Sequence, residues 1–137
     1  MPRPVGGPLV GVRAWALATH LGPTVAVTTV ATLLAVGADV SGARAALVGI
    51  AVLAGQASIG WSNDWLDADR DRAVARADKP VVRGAVRPAQ LRSLALAAAA
   101  LSVVLSLVVA VPGLLLWWAA GRLRTRSPAA PAVAHAG

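Results

Sequence analysis

Residues 43–71 read ARAALVGIAVLAGQASIGWSNDWLDADRD, a stretch that joins a long apolar run to a cluster of acids. The apolar part, residues 43–61, has nineteen residues. A helix of that length crosses a bilayer, since each residue adds about 1.5 Å. The run ends in NDWLDADRD, residues 63–71, which contains four of the six acidic residues of the chain. This order predicts a membrane helix with a polar site at its end.

The composition of the whole chain agrees with a membrane protein. The 137 residues are 57% hydrophobic, and 14% are charged. A soluble domain carries about 25% charged residues, and here the charges lie between long apolar runs. Cysteine does not occur in the sequence, which excludes disulfides and thiolate metal sites.

Two further apolar segments flank the first stretch, at residues 14–36 and 91–110. Pro112-Gly113 and LLLWWAA follow the second of them. LLLWWAA is too short to cross a bilayer alone, so it is either an extension of the preceding helix or the start of a further one. We expect an all-α integral membrane helical bundle with three complete transmembrane helices plus a truncated fourth. His20 lies inside the first segment, where we expect it to face the protein interior.

The basic residues predict the orientation of this bundle. Residues 62–92 hold seven arginines and lysines, whereas the connection between the first two segments holds only Arg44. The positive-inside rule then places the N-terminus and the Asp-rich loop on the cytoplasmic side of a multi-pass protein of the cell membrane. The same rule explains the net charge of +7 without a nucleic-acid partner. Residues 121–137, rich in Arg, Pro and Ala, are predicted to form a disordered tail.

The acids have helical spacing. If the helix continues through the motif, Asp64, Asp67 and Asp71 stand at i, i+3 and i+7, and Asn63 shares their face. Gln56 and Gly60 extend this face into the membrane, where we expect them to line a cavity, and Gly49 and Gly55 are expected to mark close helix contacts.

Carboxylates stacked in this way repel each other by about 0.2–0.5 kcal/mol per pair. A divalent cation such as Mg²⁺, which takes carboxylate and phosphate oxygens, reverses that repulsion. The alternative is a solvated charged loop in which the aspartates are neutralised by neighbouring arginines (Arg70, Arg72 and Arg76).

The pattern Asn63-Asp64-x-x-Asp67-x-x-x-Asp71, followed by Arg76, Lys79-Pro80 and Gly84, resembles the first aspartate-rich motif of the UbiA-type membrane prenyltransferases. GQASIGWSNDW, residues 55–65, resembles the helix that leads into this motif. The resemblance implies that residues 1–120 are the N-terminal part of such a transmembrane domain, which is all-helical and surrounds a central cavity.

Members of this family transfer a polyprenyl group from its diphosphate to an acceptor, so the resemblance implies a polyprenyl diphosphate, a lipid bilayer and an aromatic or lipid acceptor as partners. It implies Mg²⁺ as the cofactor, held by Asn63, Asp64, Asp67 and Asp71. It also implies four basic side chains in contact with the diphosphate: Arg72, Arg76, Lys79 and Arg83. Cations aimed at the developing charge of a diphosphate leaving group are the chemistry that this reaction needs.

One departure from the family pattern limits these expectations. The family uses a second aspartate-rich motif, but no acidic residue follows Asp78. We therefore expect a truncated chain that is inactive alone, unless a second chain supplies the missing half of the site. Two alternatives stay open: a non-catalytic membrane protein that binds anionic lipid or phosphate through its basic loop, and an inert remnant.

Overall fold

The computed structural model describes residue 18 and residues 20–126. This part of the chain contains four helices and no strand: α1 at Leu21–Gly37, α2 at Gly42–Leu66, α3 at Ala68–Ala73 and α4 at Pro88–Arg126. The central helix is α2, which packs against both α1 and α4. The predicted all-α class is confirmed.

Two of these helices have the length and composition needed to cross a bilayer. α2 has 25 residues and a mean hydropathy of 1.5, and residues 88–122 of α4 reach 2.7. α1 is apolar but has only 17 residues. It begins at Leu21, later than the predicted start at residue 14, and residues 14–17 lie outside the described part. A membrane helical bundle therefore fits the described residues, with two helices of spanning length.

Local sequence signals account for where the helices begin. The Ser41 hydroxyl accepts a hydrogen bond from the Arg44 backbone N–H at 3.4 Å, a capping contact at the start of α2. α4 begins at Pro88, as expected of a residue that has no N–H to satisfy. The Gln90 side-chain oxygen accepts from the Arg87 N–H at 3.2 Å just before it.

α4 is longer than the sequence predicted. It passes through Pro112 and includes residues 114–120, so LLLWWAA extends this helix and the prediction of a separate fourth helix is wrong. Residues 121–126, predicted to be disordered, are helical as well; residues 127–137 lie outside the described part. Membrane helices tolerate proline when other groups satisfy the freed backbone carbonyls. Arg44 contacts the backbone beside this proline, since its Nη2 donates to the carbonyl oxygen of Val109 at 2.8 Å.

Small residues let the helices approach closely. A Cβ at Gly49 of α2 would lie 2.6 Å from Oγ1 of Thr32 in α1, and a Cβ at Gly55 would lie 3.1 Å from Oγ of Ser102 in α4. The expected contacts at both glycines are confirmed. Close backbone approach at small residues is the usual basis of helix association in lipid.

The connection between α3 and α4, residues 74–87, packs against the end of α2. Val81, Val86 and Leu91 are buried there with Ala18 and Ala68, and three partly buried side chains pack against this cluster: Trp61, Trp65 and Val82. The connection is therefore an ordered cap rather than a free loop, and it places Lys79 over the acidic motif.

Candidate functional site

The aspartate-rich motif lies at a helix break. α2 ends at Leu66 and α3 begins at Ala68, so the helix that was supposed to continue through the motif is interrupted at Asp67. The backbone N–H of Asp67 nevertheless donates to Asn63 at 2.9 Å, and that of Asp71 donates to Asp67 at 2.8 Å. These i to i+4 bonds preserve nearly helical spacing between the acids.

The four predicted metal ligands lie in two different environments. Asp64 and Asp71 are buried, with 1% and 6% of their surface exposed. Asn63 is exposed, and the Asp67 side chain is 47% exposed. Among the residues that the structure describes, no three His, Cys, Asp or Glu side chains converge as a metal site. The motif thus presents a buried pair of acids and a more solvated pair of oxygen donors.

Asp64 has two basic neighbours. The Lys79 Nζ donates a hydrogen bond to its Oδ1, and both side chains are largely buried, at 14% and 1% exposure. The Nε2 of His20 lies 3.8 Å from the same oxygen. The carboxylate that begins the motif is therefore already paired within the chain.

The remaining acids pair with arginines nearby in sequence. Arg70 lies 3.9 Å from Asp67, and Arg72 lies 2.6 Å from Asp69, whose side chain is 98% exposed. The alternative of a neutralised, solvated loop describes this part of the motif well. Exposed pairs of this kind contribute about 0–1 kcal/mol to stability.

Arg76 connects two acids. Its Nη2 and Nε donate to the two carboxylate oxygens of Asp78 at 2.8 and 3.0 Å, and its Nη1 lies 3.9 Å from Oδ1 of Asp71. The bidentate hydrogen bonds lower the pKa of Asp78 to about 2 and raise the pKa of Arg76 above its ordinary value. Asp78 was not predicted as a member of the site, although its position two residues after Arg76 is a usable signal for such a pair.

Arg83, the fourth predicted diphosphate ligand, lies four residues beyond Lys79, and its backbone N–H donates to the Lys79 carbonyl at 3.2 Å. Its side chain is exposed and forms no hydrogen bond or ion pair within residues 20–126. The structure therefore leaves one of the four predicted diphosphate ligands available to an external anion.

A cavity of about 230 Å³ opens between α1 and α2 next to Asp64. Its lining is mostly polar or small: His20, Pro23, Thr24, Gln56, Gly60 and Asn63 belong to it. His20 precedes α1 in a left-handed conformation with φ 55°, so the expectation that it lies inside the first helix is wrong. Pro23 explains this start, because proline is favoured in the first turn of a helix.

The donor set suits a hard cation such as Mg²⁺, which prefers carboxylate oxygens. Oδ2 of Asp71 is buried and has no hydrogen-bond partner in the described structure. A buried acceptor without a partner costs about 1–3 kcal/mol, which a bound cation offsets. Asp71 Oδ2 thus lacks a partner that a cation could supply, whereas Oδ1 of Asp64 is already bound by Lys79.

These features define a helical membrane-type protein with buried carboxylates and a basic cap at one end of its central helix. The model of the UbiA prenyltransferase family matches residues 24–123, and the chain belongs to this family. The family is membrane-embedded and uses polyprenyl diphosphates, generally with Mg²⁺. No curated protein and no solved structure matches the chain. The resemblance drawn from the motif is confirmed.

Proposed function

We propose that this chain binds a polyprenyl diphosphate with Mg²⁺ at the cell membrane, as one half of a site that transfers the prenyl group to an aromatic or lipid acceptor. The observation that carries the proposal is the buried carboxylate of Asp71, whose Oδ2 has no partner among the described residues, in a chain of the UbiA family. Arg76, which lies 3.9 Å from Asp71, and Lys79, which is paired with Asp64, supply positive charge for an anion beside a bound cation.

In this proposal Mg²⁺ is held by the four oxygen-bearing side chains of the motif: Asn63, Asp64, Asp67 and Asp71. When bound, Mg²⁺ neutralises charge on the diphosphate as the allylic carbon–oxygen bond breaks and its electron pair leaves with the diphosphate. Four basic side chains contact the diphosphate: Arg72, Arg76, Lys79 and Arg83. Gln56 and Gly60 line the adjacent cavity.

Turnover requires more than this chain in our proposal. Residues 79–137 contain no acid, so carboxylates facing the motif must come from outside residues 1–137. A second chain that carries such carboxylates is the partner we propose. The N-terminus and the aspartate-rich end of α2 face the cytoplasm, as the arginine distribution indicates.

A second candidate function is binding of anionic lipid or phosphate by the basic cap, without metal. Ion pairs already neutralise Asp67, Asp69 and Asp78, while Arg83 has no acidic partner within residues 20–126. Basic residues near a membrane surface contribute about 1 kcal/mol each to binding of anionic lipid. This function needs neither buried aspartate.

Binding of a radiolabelled geranylgeranyl diphosphate to the chain in phosphatidylcholine nanodiscs separates the two functions. Prenyltransferase-type binding requires Mg²⁺, disappears with EDTA and is lost in Asp71→Asn. The matched control is Asp69→Asn, which removes an equal charge from a side chain that is 98% exposed. Binding that persists in EDTA and in Asp71→Asn supports the second candidate instead.

A further inference from the structure

We propose that Lys79 is an internal counter-ion that competes with the divalent cation for Asp64, so that cation and diphosphate bind cooperatively. This inference rests on the proposed function and adds that its two ligands bind cooperatively. A cation alone meets an occupied carboxylate, and a diphosphate alone meets an occupied lysine. When both are present, the cation binds Asp64 and the diphosphate binds Lys79, so the two ligands replace the ion pair.

The ion pair between Lys79 and Asp64 is buried. Asp64 is 1% exposed and Lys79 is 14% exposed, and the Lys79 Nζ donates directly to the Asp64 carboxylate. Removing one partner from a buried ion pair leaves an uncompensated charge, which is strongly unfavourable. Lys79 therefore leaves Asp64 readily only when another cation takes its place.

Backbone hydrogen bonds within the cap hold the main chain of Lys79 in place. The backbone N–H of Lys79 donates to Arg76 at 3.0 Å, and its carbonyl accepts from Val82 and Arg83 at 3.2 Å each. Pro80 and Val81, the residues that follow, are buried. Because this turn is anchored, a released ammonium group stays beside the acidic motif, where an incoming diphosphate binds it.

The two buried acids, Asp64 and Asp71, differ in their hydrogen-bond partners. Asp71 Oδ2 is buried and has no hydrogen-bond partner in the described residues, while Nη1 of Arg76 lies 3.9 Å from Asp71 Oδ1. A cation at Asp71 Oδ2 therefore displaces no hydrogen-bond partner from it within the described residues, whereas a cation at Asp64 Oδ1 must displace Lys79. His20, 3.8 Å from Asp64, is the other basic group at this carboxylate and remains there when Lys79 departs.

The test measures Mn²⁺, as a probe for Mg²⁺, bound to the full chain in phosphatidylcholine nanodiscs by electron paramagnetic resonance, with and without inorganic diphosphate. Protein-free nanodiscs correct for Mn²⁺ bound by diphosphate in solution. We expect diphosphate to tighten Mn²⁺ binding about tenfold, within the usual range of coupling between two sites. We expect Lys79→Gln to tighten binding of Mn²⁺ alone by a similar factor and to remove most of the effect of diphosphate.

Two control variants make the result specific. Arg87→Gln removes one positive charge from an exposed side chain of the same cap, outside the proposed site, and it should bind Mn²⁺ like the wild type. Lys79→Arg retains the charge and should retain the coupling. A damaged site binds Mn²⁺ more weakly, so tighter binding in Lys79→Gln does not result from misfolding.

The proposal is overturned if Lys79→Gln leaves Mn²⁺ binding unchanged or weakens it, or if Arg87→Gln tightens it equally. Wild-type binding of Mn²⁺ that diphosphate does not alter also overturns it, yet leaves the proposed metal site standing. If the wild type binds no Mn²⁺ even with diphosphate, the proposed function fails together with the inference.

Discussion

Lys79 and Asp64 are fifteen residues apart in sequence, and their side chains form a buried hydrogen-bonded ion pair. This pair connects the cap formed by residues 74–87 to the end of the central membrane helix. It also distinguishes the motif's two buried carboxylates, since Oδ1 of Asp64 is paired while Oδ2 of Asp71 has no partner in the described residues.

The ion pair predicts energetic coupling between its partners. Asp64→Asn and Lys79→Gln should each lower the free energy of unfolding, because each leaves a buried charge without its partner. The double variant should lose less than the sum of the two, by about 0.5–3 kcal/mol. Unfolding in mixed micelles, followed by circular dichroism, measures all four proteins, and strict additivity would contradict the coupling.

The close contact between α1 and α2 at Gly49 leaves no room for a Cβ unless a neighbour moves. Gly49→Ala places a Cβ 2.6 Å from Thr32 Oγ1, so either this hydroxyl turns away from its hydrogen bond to the Thr28 carbonyl or the helices separate, and overpacking typically costs about 1–3 kcal/mol. The double variant Gly49→Ala, Thr32→Ala should recover part of that loss. Gly121→Ala is the matched control, because a Cβ there meets nothing within 4 Å and alanine favours helix. Equal losses at Gly49 and Gly121 would contradict the close contact.

The hydrogen bond of Arg44 beside Pro112 is expected to stabilise the folded chain. Its side chain donates to the Val109 carbonyl at 2.8 Å, across the α2–α4 interface. Arg44→Ala should lower the free energy of unfolding by about 1.5–3 kcal/mol, the usual contribution of a hydrogen bond to a charged group. Leu33→Ala, at a side chain that is 63% exposed in α1, is the control and should have a smaller effect in the same detergent. A loss in Arg44→Ala no larger than that of the control would contradict the contact.

The Arg76–Asp78 pair predicts a specific acid titration. The pKa of Asp78 is lowered from 3.8 to about 2, so the pair stabilises the folded cap above pH 4, and this contribution is lost as the pH falls from about 4 to about 2. Carbon-13 NMR of labelled aspartate should therefore show Asp78 titrating near pH 2. Arg76→Gln should move the midpoint upward towards 3.8, and Arg83→Gln should leave it unchanged. A midpoint near 3.8 in the wild type would show that the pair does not form in solution.

Local patterns in the sequence predicted the helices, the family and the residues at the end of α2. Apolar length identified α2 and α4, and the spacing of the acids indicated the motif. The length of α4 was not predictable, because Pro112 suggested a break and only a distant partner, Arg44, provides the contact to Val109. The pairing of Asp64 with Lys79 was equally hidden, since it depends on how the cap folds over the end of α2.

The most direct test of the central claim is the Mg²⁺-dependent affinity of the nanodisc-embedded chain for geranylgeranyl diphosphate, compared between Asp71→Asn and Asp69→Asn. Our account predicts that Asp71→Asn weakens this affinity at least tenfold, which corresponds to a loss of about 1.4 kcal/mol or more of binding free energy. Asp69→Asn should bind like the wild type. Equal affinities in the two variants, or binding that does not require Mg²⁺, would contradict the claim that the buried carboxylate forms a metal-dependent diphosphate site.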